Sequence, residues 1–159
     1  MGLQAALNGD RTKAAHAATP VSVEELAQDA AACVAAGARA IHLHPRDPEG
    51  RETLEAGIVD EAVTKVRDAC GVPVGVTTSA EIEPDPERRL ELVRAWRVPD
   101  YTSVDLSEAG ATEVMEALIE VGSASRRACG PWRTPSGSRR VGLAGGSPGS
   151  WSSPEGTSS

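Results

Sequence analysis

Four short apolar segments, opening near residues 3, 38, 72 and 101, alternate with four amphipathic stretches, and this alternation constrains the fold more than any other feature of the chain. Leu3–Asn8 reads as a strand with Gln4, Ala6 and Asn8 on one face. Ser22-Val23-Glu24-Glu25 is a capping box, and it opens a helix whose apolar stripe is Leu26, Ala30, Cys33 and Val34 and which Gly37 ends. Residues 55–69 carry Ile58, Val59, Ala62, Val63 and Val66 at helical spacing. Val72–Thr78 is almost continuously small and branched, as in a strand buried on both faces. Asp85 and Pro86 supply an N-cap and a first helical residue, Tyr101–Leu106 reads as a fourth strand, and Thr112–Val121 as a fourth helix. Strands that alternate with helices pair in parallel through crossovers. Two architectures satisfy this pattern. One is half of a (β/α)8 TIM barrel, which needs about 250 residues when whole. The other is a complete small doubly wound sheet of four parallel strands.

The second segment carries the chemistry. In Ala38-Arg39-Ala40-Ile41-His42-Leu43-His44-Pro45-Arg46-Asp47, alternation puts Ala38, Ala40, His42 and His44 on one face and Ile41 and Leu43 on the other. Imidazoles two residues apart on a strand are spaced about 6.5–7 Å, so both can reach one metal ion at about 2.0–2.1 Å. The plainer alternative is two polar residues at a strand end, satisfied by water or carbonyls. Polar groups also close the other strands: Asn8, Thr77 with Thr78, and Ser103 with Asp105. In parallel α/β folds these C-terminal ends are where ligands bind, so the four rims point to one shared site.

A net charge of −7 and a pI near 5.0 argue against nucleic acid or an anionic membrane as the main partner. No apolar run approaches the ~20 residues of a membrane span, and the opening residues lack the basic and apolar regions of a signal peptide. Cys33, Cys70 and Cys129 are too far apart for a zinc knuckle or redox pair, and the expected compartment is a reducing cytoplasm. The chain divides at about residue 122. Residues 123–159 hold ten Ser, seven Gly, five Arg and four Pro, and Val141 and Leu143 are the only aliphatics there larger than Ala. Their charge is +4 against −11 for residues 1–122. Such a segment cannot offset its ordering entropy by burial, so disorder is expected across 123–159. Its composition also suits GC-rich coding sequence read out of frame: of the many codon choices the residues permit, one, read one nucleotide earlier, gives a strand with a glutamate and then a Thr-capped amphipathic helix.

Ala5-Ala6-Leu7-Asn8-Gly9, the run from Ala36 to Asp47 with its His-x-His-x-Arg-Asp core, and Val74-Gly75-Val76-Thr77-Thr78 resemble the β-keto acid cleavage enzymes. This family includes the enzyme that cleaves 3-keto-5-aminohexanoate in lysine fermentation, and the resemblance covers about residues 3–122. It implies that residues 1–122 are four βα units, the N-terminal half of a zinc-dependent TIM barrel, and that the full-length proteins are homo-oligomers. It implies an acyltransferase that exchanges a two-carbon unit between a β-keto acid and acetyl-CoA, giving acetoacetate and a new CoA thioester. Zn2+ would be the cofactor and acetyl-CoA the co-substrate, with His42 and His44 as two zinc ligands. Thr77 and Ser103 align with positions that contact substrate, and Arg46 either orients its loop or balances charge, or else pairs with Asp47.

Two residues depart from the family pattern. Asp105 stands where relatives usually have Asn, which sets a carboxylate beside a carboxylate-bearing substrate. Arg11 stands where the aminohexanoate-cleaving members have an acidic residue for the substrate amine, so a neutral or acidic β-keto acid is expected instead. The family's third zinc ligand and acid–base residues lie on late strands, and no counterparts are identified here, so impaired activity is expected. Two other classes compete with the enzyme reading: a non-catalytic half-barrel fragment, and a metal-dependent TIM-barrel hydrolase. The hydrolases place their His-x-His pair on the first strand, whereas here a full βα unit precedes it.

Overall fold

The computed structural model describes residues 2–128. Its elements run β1 (Leu3–Ala6), α1 (Val23–Ala35), β2 (Ala38–Leu43), α2 (Ala56–Cys70), β3 (Val74–Thr77), α3 (Pro86–Arg94), β4 (Tyr101–Ser103) and α4 (Ala111–Ala128). The strands form one parallel sheet in the order β1-β2-β3-β4. That order bears on the two architectures left open by the sequence. Right-handed crossovers between strands laid down in succession put every helix on one face of the sheet. A doubly wound sheet must instead reverse its strand order. The core agrees: Ile41, Leu43, Val74 and Val76 from the sheet join Leu26, Ala30, Val59, Val63, Val66, Val93 and Val114 from all four helices in one buried cluster. The sheet is thus compatible with four successive units of a barrel, and its opposite face carries His42, Gly75 and Thr77.

Local signals set the element ends. The Ser22 hydroxyl accepts from the Glu25 N–H (3.2 Å), and the Glu25 carboxylate accepts from the Ser22 and Val21 N–H groups (3.1 and 2.8 Å) and from Lys13. Those bonds hold the Glu25 carboxyl at a pKa of about 2, the Lys13 bond contributing most. Gly71 closes α2 in the left-handed region (φ 68°), a conformation that costs glycine little. Asp85 caps α3 through the Glu87 N–H (3.0 Å), ahead of Pro86. Trp96, fully buried after α3, donates from its indole N–H to the Leu54 carbonyl (2.9 Å) and ties that helix to the approach of α2.

The strands are shorter than the sequence predicts. Pro73 has no N–H to give, so the β3 ladder starts at Val74, although the Pro73 carbonyl still accepts from Ile41 (2.9 Å). The last helix is longer than predicted, running to Ala128 instead of Val121. Ala and Arg in residues 123–128 favour helix, and the first proline comes only at Pro131. The change in composition at residue 123 therefore does not coincide with the end of regular structure, and the disorder expected from Ser123 is corrected for residues 123–128. Residues 129–159, where the rest of that expectation falls, lie outside the described residues. Among the described residues no helix is long and apolar enough to cross a membrane.

Candidate active site

Parallel pairing puts Ala6, His42, Gly75 and Tyr101 side by side across the sheet, on the face away from the helices. A side chain at Gly75 would collide with the Tyr101 ring, whose Cζ lies 2.5 Å from where a Cβ would stand. Glycine there lets the ring cross β3, and the Tyr101 hydroxyl donates to the Ile41 carbonyl of β2 (2.5 Å). Burial, with the charge of Asp100 adding to it, pushes the phenol to about 12, so it remains a donor at neutral pH. The ring forms a floor beside His42, with centroids 6.5 Å apart.

His42 and His44 meet edge to face, centroids 5.5 Å apart at 81°. Burial, reinforced by neighbouring His44, lowers the His42 pKa to about 4. His42 is therefore neutral at pH 7, the form that offers a lone pair to a metal. Its Nδ1 is buried and has no hydrogen-bond partner. His44 is held from two sides. Asn8, only 5% exposed, accepts from the His44 N–H and donates to the His44 carbonyl, both at 2.9 Å, extending the β1–β2 ladder with a side-chain amide. The Glu52 carboxylate bonds His44 Nδ1.

Beyond the strand ends lies a cleft of about 440 Å3, lined by His44, Thr77, Ser79, Glu81, Ser103, Asp105 and Glu108 among others. Thr77 Oγ1 accepts from the Ser79 N–H (3.2 Å), which leaves its own proton to offer, whereas Thr78 spends its proton on the Ser103 carbonyl (2.8 Å). The Ser107 N–H and hydroxyl both donate to Asp105 (2.9 and 2.7 Å), which lowers its pKa and keeps it charged. Glu108 accepts from the Ala80 N–H (2.8 Å) and the Ser79 hydroxyl (3.5 Å), and sits 3.5 Å from Arg89, a guanidinium only 1% exposed. Arg89 also donates to the carbonyls of Glu83 (3.4 Å) and Ala109, so one buried cation joins the loops after β3 and β4.

Of the residues singled out in the sequence, His44, Thr77, Ser103 and Asp105 come together in this cleft, with His42 against His44. Arg11 does not. Its N–H turns back to the Asn8 carbonyl (3.2 Å), its side chain is exposed, and it is not among the residues lining this cleft. Arg46 takes the loop-orienting role. Buried to 7% exposure, it donates to the carbonyls of Gly9 (2.9 Å), Arg11 (2.7 Å) and Gly50 (3.1 Å), while Asp47 pairs with Arg51 (2.8 Å).

Glu52, Ser79, Glu81 and Glu108 escaped the sequence analysis. For Glu52 a signal existed: Asp47-Pro48-Glu49-Gly50 is a turn sequence, and the turn folds Glu52 back into an antiparallel bridge with Arg46. Among the described residues no group of three or more His, Cys, Asp or Glu side chains is placed to hold a metal.

The model of the beta-keto acid cleavage enzyme family matches residues 1–127. The chain is also similar to the 3-keto-5-aminohexanoate cleavage enzyme of Fusobacterium nucleatum subsp. nucleatum, 32% identical over 82 residues. That stretch is 46% of this chain and 30% of the relative, so the chain matches less than a third of that protein's length. With the match covering most of the chain, and the site residues on or just beyond its second, third and fourth strands, this chain belongs to the β-keto acid cleavage enzyme family.

Proposed function

We propose that the four βα units are the N-terminal half of a (β/α)8 barrel and carry half of a zinc-assisted site for β-keto acid cleavage, in which a two-carbon unit passes between a β-keto acid and acetyl-CoA. His42 and His44 would hold the metal: one is neutral with an unpartnered buried nitrogen, and the other is fixed through backbone and ring. When bound, zinc supplies a Lewis acid that polarises the substrate ketone. The observation that carries this reading is His44, with His42 edge-on against it, lining a cleft at the C-terminal end of a parallel sheet.

The protein's own groups have definite tasks in such a site. Thr77 and Ser103 offer hydroxyls to the substrate carboxylate from adjacent strand ends. Asn8 and Arg46 fix the strand end and loop that present His44. Tyr101 closes the floor and keeps water from the inner side of His42. Glu81, Asp105 and Glu108 line the cleft with no lysine or arginine among the lining residues. An anionic substrate entering such a lining needs a compensating positive charge, which favours a metal-loaded site.

Two imidazoles fall short of the three protein ligands usual in catalytic zinc sites, so the described residues should bind zinc weakly and turn over slowly. This favours a second reading, a metal-binding half-site with little catalysis of its own. Binding therefore tests the function more directly than rate. Acetoacetate, itself a β-keto acid, should bind saturably to the zinc-loaded chain and not to the metal-free chain, and His42→Ala or His44→Ala should abolish the difference. Equal acetoacetate binding with and without zinc would overturn the proposal.

A further inference from the structure

His44 is the one histidine of the pair whose ring has a carboxylate partner, and the loop that follows it is built to deliver that partner. The chain leaves β2, turns at Asp47–Gly50 through a bond from the Gly50 N–H to the Asp47 carbonyl (2.9 Å), and returns alongside itself. Bonds from the Asp47 N–H to the Arg51 carbonyl (2.8 Å) and from the Thr53 N–H to the Pro45 carbonyl (3.0 Å) zip the two arms together. Arg46 Nη1 fastens the turn through the Gly50 carbonyl, while its Nη2 fastens the arm to the loop after β1. The result is a braced hairpin with Glu52 beside His44, both side chains about four-fifths buried.

We infer that Glu52 is a positioning residue for the metal site: by accepting the hydrogen bond of His44 Nδ1–H, it fixes the ring's orientation and tautomer and leaves Nε2 as the nitrogen that binds the ion. The inference rests on the proposed zinc site and adds to it a residue that touches neither metal nor substrate. Its physical basis is general. An imidazole bound to carboxylate through one nitrogen cannot rotate freely, carries its proton on that side, and is a better donor through the other. Glu52 is also local to this strand, so its effect does not depend on any residue outside those described.

The test is a zinc titration against a chromophoric chelator, with the full 159-residue chain in metal-free buffer. Parent, Glu52→Gln, Glu52→Leu and His44→Ala are compared, and urea unfolding of each metal-free protein checks the fold. Glu52→Leu, which removes the acceptor, should weaken zinc binding about 10–100-fold at an unchanged unfolding midpoint. Glu52→Gln, which keeps an acceptor and loses the charge, should fall between Leu and parent. A role confined to bracing the loop would shift the unfolding midpoint and leave the affinity of the folded protein alone. If Glu52→Leu does not fold, Glu52→Gln decides. Equal zinc affinity in parent and Gln variant would overturn the inference while leaving the zinc site standing. A parent chain that binds no zinc would overturn both.

Discussion

Gly75 and Tyr101 should be energetically coupled, because the ring of one lies where the side chain of the other would be. Gly75→Ala puts a methyl group into the ring, with Cζ only 2.5 Å away, far inside carbon–carbon contact. The methyl's own backbone is held in the centre of the sheet, so the ring has to leave. Overpacking of this kind costs about 1–3 kcal/mol. The bond from the Tyr101 hydroxyl to the Ile41 carbonyl goes with it, at about 1 kcal/mol, so the single change should cost about 2–4 kcal/mol. In a Tyr101→Ala background the obstruction is gone. There, alanine in place of strand glycine should be neutral or stabilising by about 0.5–1 kcal/mol. Urea unfolding of the parent, both single variants and the double variant gives the coupling energy, expected at about 2 kcal/mol or more. A coupling below about 0.5 kcal/mol would refute the packing of this face, because the two residues would then be adding independently.

Other consequences follow from individual groups. The Glu25 carboxyl, held at about 2 when folded, contributes stability that is fully present above its ordinary value of 4.5 and is lost as pH falls toward 2. Glu25→Gln should therefore flatten the stability–pH curve between about pH 4.5 and 2, as followed by urea midpoints. Arg89→Met strands Glu108 and the Ala109 carbonyl in a buried setting and should cost about 3–5 kcal/mol, part of it recovered by adding Glu108→Gln. Asp105→Asn removes an ionised carboxylate from the cleft, so the zinc-loaded chain should bind acetoacetate more tightly in calorimetry.

The βα alternation was legible because its signals are local. A capping box at Ser22, a proline at Pro86 and an aliphatic run at Val74 each act within one turn of chain or one strand. Strand order was not legible, since half a barrel and a doubly wound sheet share the same local elements and differ only in which strands pair. The end of α4 was misplaced for a different reason. Composition changes at Ser123, but helix continuation depends on residue propensity, and Ala and Arg carry it to Ala128.

In the site, strand alternation was enough to bring His42 and His44 to one face, and strand ends were enough to gather Thr77, Ser103 and Asp105. Glu52 depends on a turn folding back over eight residues, and Glu108 on a buried arginine from another element. Neither has a periodic signature. The role of Arg46 depended on where the Gly9 and Arg11 carbonyls stand, which only the folded loops determine.

Zinc K-edge absorption spectroscopy on the chain loaded with one equivalent of zinc tests the central claim most directly, because it reads the ligands themselves. Two imidazole nitrogens at about 2.0–2.1 Å, completed by oxygen and reduced to one nitrogen in His44→Ala, are the expected result. A first shell without imidazole, or one containing sulfur at about 2.3 Å, would place the metal elsewhere and contradict the assignment of His42 and His44.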